Sequence, residues 1–300
     1  MRTFLFAALL AALPLPCVAA DERPNFLVLF SDDGGYADFG FQPHADPKLA
    51  ALTPRLTKFA ASGARLTNGY VSGCVCSPSR AGLMTGRYQE RYGHELNIPP
   101  GYMQGGLPLT ERFIGDHLKP LGYVSGLIGK WHLGYPDAYH PNARGFDHFY
   151  GLLQGSRGYH PQKNISPHQV FLLNHKPTPE VGYVTDRIGT GACDFLEAHK
   201  DDPFFLFVSF TAPHGPLQPR FSDIPKLTGF DSMQRRNFAG LVKALDENVG
   251  RILDKLDELK LADKTLVIYT NDNGGQTQVG ALNTPLRGRK GQLWEGGVRV

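Results

Sequence analysis

Four short apolar runs, separated by stretches of helical pattern, are the feature that most constrains how this chain can fold. The runs cover residues 25–30, 123–128, 203–210 and 266–269. Uninterrupted apolar runs of this length are typical of strands that are buried on both faces, as in parallel sheets. Helical patterns lie at 54–62, 78–85, 109–121, 185–199 and 232–259. We therefore predict an α/β fold with a mostly parallel central sheet flanked by helices.

Polar residues that could bind a ligand follow each apolar run. In chain order they are Asp32, Asp33, Lys130, His132, His214, Asp272 and Asn273. In an open α/β sheet, ligands bind beyond the carboxyl ends of the strands, so we expect these side chains to meet at one edge. The sequences Asp-Asp-Gly-Gly and Asn-Asp-Asn-Gly-Gly are also favourable turns, and a purely structural role stays open for them.

The oxygen atoms in this set predict a metal site. Carboxylate and amide oxygens suit a hard cation such as Ca²⁺ or Mg²⁺ better than a soft metal. The residues expected to supply these oxygens are Asp32, Asp33, Asp272 and Asn273. The glycines beside them would let the backbone turn sharply next to the ion.

Lys130 and His132 are separated by a single residue, Trp131. In an extended segment both side chains would project to the same side and direct an ammonium and an imidazole at one oxyanion. Most of the 11 histidines of the chain are expected to be structural instead.

The run Cys76-Ser77-Pro78-Ser79-Arg80, followed by Thr85-Gly86, is the most specific motif of the sequence. Proline is tolerated in the first turn of a helix, which predicts a helix beginning close to Cys76. Free N–H groups at such a helix start favour an anion, and Arg80 lies one turn further along. A small buried cysteine that only packs there is the alternative interpretation.

Composition and the N-terminus narrow the class of protein. The 300 residues carry a formal net charge of +3 without a Lys/Arg run, which does not indicate a nucleic-acid partner. Residues 1–20 have the pattern of a secretory signal, whose apolar run at 4–13 is too short to span a membrane. We expect export to a bacterial periplasm, without a transmembrane segment. In an oxidising compartment Cys74 and Cys193 could pair.

The cysteine motif resembles the signature of the sulfatase family. Six further blocks resemble that family in the same order, at residues 23–33, 53–63, 129–134, 212–217, 271–275 and 285–297. The resemblance implies an alkaline phosphatase-like α/β fold, with residues 21–300 as the catalytic domain. Family members continue into a smaller C-terminal subdomain, which a chain ending at Val300 is expected to lack or to carry only in part.

The resemblance also implies a reaction, the hydrolysis of sulfate esters. In this family the motif cysteine, here Cys76, is oxidised by a formylglycine-generating enzyme to formylglycine, and a hydroxyl of the hydrated aldehyde attacks sulfur. A single Ca²⁺ assists the attack. Its implied ligands are Asp32, Asp33, Cys76 in its modified form, Asp272 and Asn273.

Further roles follow from the resemblance residue by residue. Arg80, Lys130 and Lys290 would stabilise charge on the sulfate oxygens. His214 would protonate the leaving alcohol as a general acid. His132 would then take a proton from the remaining hydroxyl, so that sulfate is eliminated and the aldehyde returns.

Three functions stay open at this point. The leading one is a sulfatase acting on a sulfated carbohydrate, because 144–147 and 151–159 resemble carbohydrate-acting members of the family. The second is a phosphodiester or phosphonate ester hydrolase of the same superfamily. The third is a truncated, non-catalytic protein that retains glycan binding.

Overall fold

A seven-stranded sheet forms the centre of the structure. The computed structural model describes residues 23–300, so the predicted signal segment 1–20 lies outside the described residues. The strands are β1 (Asn25–Asp32), β2 (Val124–Lys130), β3 (His148–Leu152), β4 (Leu172–Leu173), β5 (Lys176–Pro177), β6 (Phe204–Pro213) and β7 (Thr265–Asn271). Their order across the sheet is β5-β4-β3-β2-β6-β1-β7. Strands β3, β2, β6, β1 and β7 pair in parallel, and β4 and β5 add an antiparallel edge.

Helices connect the strands and pack against the sheet. The α-helices are α1 (Pro47–Ala50), α2 (Pro54–Ala61), α3 (Cys76–Thr85), α4 (Ile114–Leu118), α5 (Val184–Ala198), α6 (Met233–Glu258) and α7 (Glu295–Val298). Short 3₁₀ helices lie at Gln89–Tyr92, Lys119–Leu121, Asp137–Tyr139, Pro141–Arg144, Pro167–Gln169, Ile224–Lys226, Ala262–Lys264 and Thr277–Val279. Helix α6 extends over 26 residues and begins after Ser232, whose hydroxyl accepts a hydrogen bond from the backbone N–H of Arg235.

Both faces of the sheet are covered, which explains why β1 and β6 are apolar along most of their length. Leu27 and Leu29 of β1 lie in a core shared with α5 and α6. Phe30 lies on the opposite face, in a second core that includes Met84 of α3. Successive side chains of a strand point to opposite faces, so a strand between two apolar layers needs apolar residues at every position. The predicted α/β fold with a mostly parallel sheet is confirmed.

Some local predictions differ from the structure. The helix predicted over 109–121 is wrong in its first half, because α4 begins only at Ile114, where Asp116 accepts a hydrogen bond from the N–H of Phe113. Strands β3, β4 and β5 were not predicted, and two of them are only two residues long. Cys74 and Cys193 are both free. None of the helices in residues 23–300 has the length and apolar character needed to cross a membrane.

Candidate active site

The carboxyl edge of the sheet carries buried charged side chains around Asp32. This residue ends β1 and is fully buried, with its carboxylate 2.5 Å from Lys130 Nζ and 3.4 Å from the Arg80 guanidinium. Burial alone would raise the pKa of Asp32, but the nearby positive charges, of which Lys130 contributes most, outweigh it and lower the pKa. Asp32 is therefore a carboxylate at neutral pH.

Arg80 is bonded to four neighbouring strands of the sheet or to residues directly after them. Its guanidinium lies 3.2 Å from the carboxylate of Asp272 and donates to the hydroxyl of Ser209 at 2.6 Å. The same group lies 5.1 Å from the ring centroid of Phe30. Burial and the repulsion from Asp32 raise the pKa of Asp272, and the charge of Arg80 opposes that shift. The arginine thus fixes α3 against β2, β6, β1 and the residue that follows β7.

Cys76 is the first residue of α3 and lies inside this cluster. Its Sγ is 3.1 Å from Lys290 Nζ and 3.6 Å from a carboxylate oxygen of Asp32. The residue is 1% exposed, and burial raises the pKa of its thiol to about 12, although the charge of Lys130 acts in the opposite direction. The thiolate is the nucleophilic form of cysteine. The unmodified side chain is therefore a poor nucleophile at neutral pH.

Asp33 links β1 to the segment after β7. Its φ of 67° lies in the left-handed region, which turns the chain sharply at the end of the strand. The Asp33 carboxylate lies 2.7 Å from Lys290 Nζ and 3.5 Å from His214 Nε2. Its N–H donates to Asp272 Oδ1 at 3.1 Å, and Asn273 Nδ2 donates to Asp33 Oδ1 at 2.8 Å. Both predicted metal segments therefore meet here.

The donor atoms at this edge fit a hard cation. Ligand atoms of Asp32, Asp33, Cys76 and His214 all lie within 4.8 Å of one another. The Oδ1 atom of Asn273 is buried and has no hydrogen-bond partner. An unpaired buried oxygen is costly unless something compensates it, and coordination of an ion would do so. Carboxylate and amide oxygens are the ligands that Ca²⁺ takes in proteins.

The hydrogen positions on the His214 ring follow from its neighbours. Nδ1 lies 2.6 Å from the carbonyl oxygen of Gly215, which can only accept, so Nδ1 carries a hydrogen. Nε2 lies 3.5 Å from Asp33 and faces the cluster. The side chain is 21% exposed, so Nε2 can exchange a proton with a group that enters the edge from solvent.

His132 is placed differently from the prediction. Its φ is 64°, so the extended geometry assumed for 130–132 is wrong. Its Nε2 lies 3.1 Å from the carbonyl oxygen of Ile98 and therefore carries the hydrogen, while the buried Nδ1 has no partner. Burial and nearby positive charges, led by Lys130, hold the pKa of His132 well below its usual range. A Cβ at Gly155 would lie 2.3 Å from this ring, so glycine leaves room for a neutral imidazole with a free acceptor nitrogen.

Sequence reasoning missed the side chains that connect α3 to His132. The Ser77 hydroxyl donates to the His132 carbonyl oxygen at 2.7 Å, and His94 Nε2 lies 2.7 Å from the same hydroxyl. Asn97 Oδ1 accepts from the N–H of Ser77 at 2.8 Å. Ser77 lies within the cysteine motif, so the motif could have identified it as a candidate. For His94, the adjacent Tyr92 and Gly93 indicate only a loop that could line a pocket, and nothing in the sequence distinguishes Asn97 from a structural residue.

Comparisons with known proteins agree on one family. The family model described as Sulfatase matches residues 24–300. Mouse arylsulfatase J is 33% identical over 94% of this chain and 48% of its own length. Human N-acetylgalactosamine-6-sulfatase is 34% identical over 93% of this chain and 56% of its own length. The chain thus spans about half the length of these curated relatives.

Solved structures give the same result. The structure of Ps i-CgsB in complex with k-i-k-neocarrahexaose has a TM-score of 0.87 at 36% identity, covering 92% of this chain and 64% of that chain. The PsFucS1 sulfatase from Pseudoalteromonas sp. has a TM-score of 0.77 at 27% identity, covering 92% of this chain and 61% of its own. These similarities confirm the predicted alkaline phosphatase-like fold.

Proposed function

This chain belongs to the sulfatase family, and on that premise we propose that it is a secreted sulfuric ester hydrolase acting on sulfated carbohydrates. The observation that carries the proposal is the position of Cys76, whose sulfur lies 3.1 Å from Lys290 and 3.6 Å from Asp32 at the start of α3. Its neighbours are charged groups and not an apolar core. The carbohydrate class is supported by Ps i-CgsB, solved with a neocarrahexaose, and by the human relative named N-acetylgalactosamine-6-sulfatase.

Residue 76 would act as formylglycine, made from the cysteine by a formylglycine-generating enzyme. When present, the hydrated aldehyde supplies a hydroxyl nucleophile for the sulfur atom of the ester. The thiol that it replaces has a pKa of about 12 and would stay uncharged at neutral pH. The N-terminus of α3 and the ammonium of Lys290 would both favour negative charge on the modified side chain.

One Ca²⁺, when bound, would supply positive charge that polarises the sulfate. The proposed ligands are Asp32, Asp33, Asp272, Asn273 and the modified residue 76. The three carboxylates among them are balanced by three cations, namely Arg80, Lys130 and Lys290. The two charges of the ion would therefore make the site net positive, which favours binding of an anionic sulfate ester.

The remaining side chains suit charge stabilisation and proton transfer. Lys290, together with the more deeply buried Arg80 and Lys130, would stabilise charge on the sulfate oxygens. His214, when both of its ring nitrogens carry a hydrogen, would donate the Nε2 proton to the oxygen of the departing alcohol. His132, whose Nδ1 has no partner, would accept a proton when sulfate is released.

Sulfate release, measured together with the mass of the peptide that contains residue 76, tests this function. Protein coexpressed with a formylglycine-generating enzyme is expected to carry an aldehyde at position 76 and to release sulfate from sulfated oligosaccharides. Cys76→Ala should fold and release none. Cys193→Ala, which removes a partly buried cysteine of α5, should keep the wild-type rate. An unmodified thiol beside a modified control sulfatase in the same cells would contradict the proposal.

The same assay separates the two other functions. A phosphodiester or phosphonate ester hydrolase would turn over those esters faster than the matching sulfate ester. A non-catalytic protein would bind sulfated saccharides equally well as wild type and as Cys76→Ala, with sulfate release from neither.

The proposed export is tested by fractionating bacterial cells that express the chain with and without residues 1–20. Only the chain that carries residues 1–20 should reach the periplasm.

A further inference from the structure

Tyr159 connects the loop after β3 to the turn that carries His214. The residue is 1% exposed, and its hydroxyl lies 2.8 Å from the carbonyl oxygen of Thr211 and 2.7 Å from that of His214. Carbonyl oxygens only accept, so the one hydroxyl hydrogen is shared between these two groups. Burial raises the pKa of Tyr159 well above its usual range, and the hydroxyl keeps this hydrogen at neutral pH.

The Tyr159 ring is itself held by groups away from the charged cluster. The N–H of Tyr159 donates to Gln218 Oε1 at 2.9 Å, and the ring stacks on Tyr183 with centroids 5.5 Å apart. The N–H of His214 also donates to the Thr211 carbonyl oxygen at 2.9 Å. The tyrosine hydroxyl therefore binds both ends of a single turn, and a fixed turn sets the direction of the imidazole.

We propose that Tyr159 is a positioning residue for proton donation by His214. The inference rests on the proposed function, in which His214 Nε2 protonates the departing alcohol. Nδ1 of the same ring is hydrogen-bonded to the Gly215 carbonyl oxygen. The ring therefore cannot rotate to bring Nε2 back towards the leaving oxygen without losing that bond. A shift of the turn would move Nε2 away from the leaving oxygen and leave the cations that bind sulfate in place. The loss would appear in kcat and would grow with the need of the leaving group for a proton.

A pair of aryl sulfates tests this dependence. The phenolate of 4-nitrophenyl sulfate leaves readily, whereas that of phenyl sulfate depends more on protonation. Tyr159→Phe removes only the hydroxyl. We expect it to lower kcat about tenfold or more on phenyl sulfate and less than about threefold on 4-nitrophenyl sulfate, with KM unchanged.

Tyr183→Phe is the matched control. Its hydroxyl donates to the carbonyl oxygen of Gln218 at 3.0 Å and does not contact the turn. It should change kcat equally, and little, on both substrates. His214→Ala gives the reference pattern, with a larger dependence on the leaving group, and Tyr159→Phe should add no further loss in that background.

Equal losses on both substrates for Tyr159→Phe, or a loss that adds to that of His214→Ala, would overturn the proposal. A wild-type protein that releases sulfate from neither the two aryl esters nor sulfated oligosaccharides would refute the proposed function and this role with it. An active wild type with substrate-independent losses would refute the role of Tyr159 alone. Thermal unfolding checks the fold of each variant. Should Tyr159→Phe not fold, Gln218→Ala removes the acceptor of the Tyr159 N–H and must give the same pattern at smaller amplitude.

Discussion

The carboxyl edge of the sheet and the helical layer of α5 and α6 differ in where their charged side chains lie. At the edge, Asp32, Lys130 and Arg80 are each at most 1% exposed and contact one another. On α6, most charged side chains lie at the surface, as in the pair of Lys243 with Glu247, whose side chains are 19% and 43% exposed. The side chains between that helix and the sheet are apolar.

The energetics of the two arrangements differ. Removing two charges from water offsets most of their mutual attraction, so a buried ion pair seldom stabilises a fold more than an apolar pair of similar size. Apolar burial stabilises by about 25 cal/mol per Å². The helical layer thus accounts for much of the stability, and in the proposed function the buried charges of the edge serve the reaction. Substitutions in the two regions should therefore separate activity from stability.

The largest effect is expected from Lys130→Met. This substitution keeps the volume of the side chain but removes the closest cation from Asp32. Unpairing a buried charge costs about 3–5 kcal/mol of unfolding free energy, and losing one stabilising cation should lower kcat by about 10²–10³-fold. Chemical denaturation and aryl sulfate turnover measure the two losses. The control Lys255→Met, on α6, whose partners Glu197 and Glu258 are exposed carboxylates, should cost about 1 kcal/mol or less at an unchanged rate. Similar losses of stability and of rate in both variants would contradict the separation of activity from stability between the two regions.

Leu245→Ala should show the reverse behaviour. Leu245 is fully buried in the core between α6 and the sheet. Truncation of a buried leucine costs about 2–5 kcal/mol, because it removes apolar contacts and leaves a cavity. Below the unfolding transition, kcat and KM should equal those of the wild type. A changed KM would mean that the helical layer also shapes the substrate site.

Calcium should stabilise the protein through the edge alone. At a free Ca²⁺ concentration of 100 times Kd, the unfolding free energy should rise by about 2.7 kcal/mol over protein treated with chelator. Asn273→Ala should weaken this increment because it removes the unpaired Oδ1. Asn248→Ala removes an equally buried asparagine of α6, which bonds Asp186 and the Ala244 carbonyl, and should retain the increment. Thermal unfolding with and without Ca²⁺ measures this increment in each variant. An increment retained in Asn273→Ala would exclude Asn273 as a Ca²⁺ ligand.

The smallest expected effect concerns the N-cap of α6. Ser232→Ala removes the acceptor for the N–H of Arg235 and should cost about 1 kcal/mol in urea denaturation. Ser232→Asp restores an acceptor and should recover most of that loss. Sulfate release should be the same in all three proteins, and a change in rate would show that the helix start influences the edge.

The sequence was most informative where local pattern and chemistry coincide. The apolar runs predicted the central strands because a strand between two helical layers must be apolar at every position. Cys76, Arg80 and Lys290 were predicted from short motifs, and the structure brings all three to the same edge. Their roles in catalysis stay predictions.

Long-range geometry could not be read from the sequence. Tyr159 contacts the carbonyl oxygen of His214 across 55 residues of chain, and no local pattern indicates that the two residues meet. The left-handed backbone of His132 depends on the packing of its ring between Gly155 and Ile98. Strands β4 and β5 are too short to produce a periodicity. Each of these features is decided by tertiary contacts and not by residue preference.

The contact of Cys76 with Lys290 can form only after most of the chain has been synthesised. The two residues are 214 positions apart, so at synthesis rates of about 5–20 residues per second, roughly 10–40 s separate their appearance at the ribosome. During that interval the thiol, 1% exposed in the folded protein, does not yet have the lysine beside it. An enzyme that oxidises this cysteine would thus compete with the completion of the chain. Slower elongation should increase the share of molecules that mature.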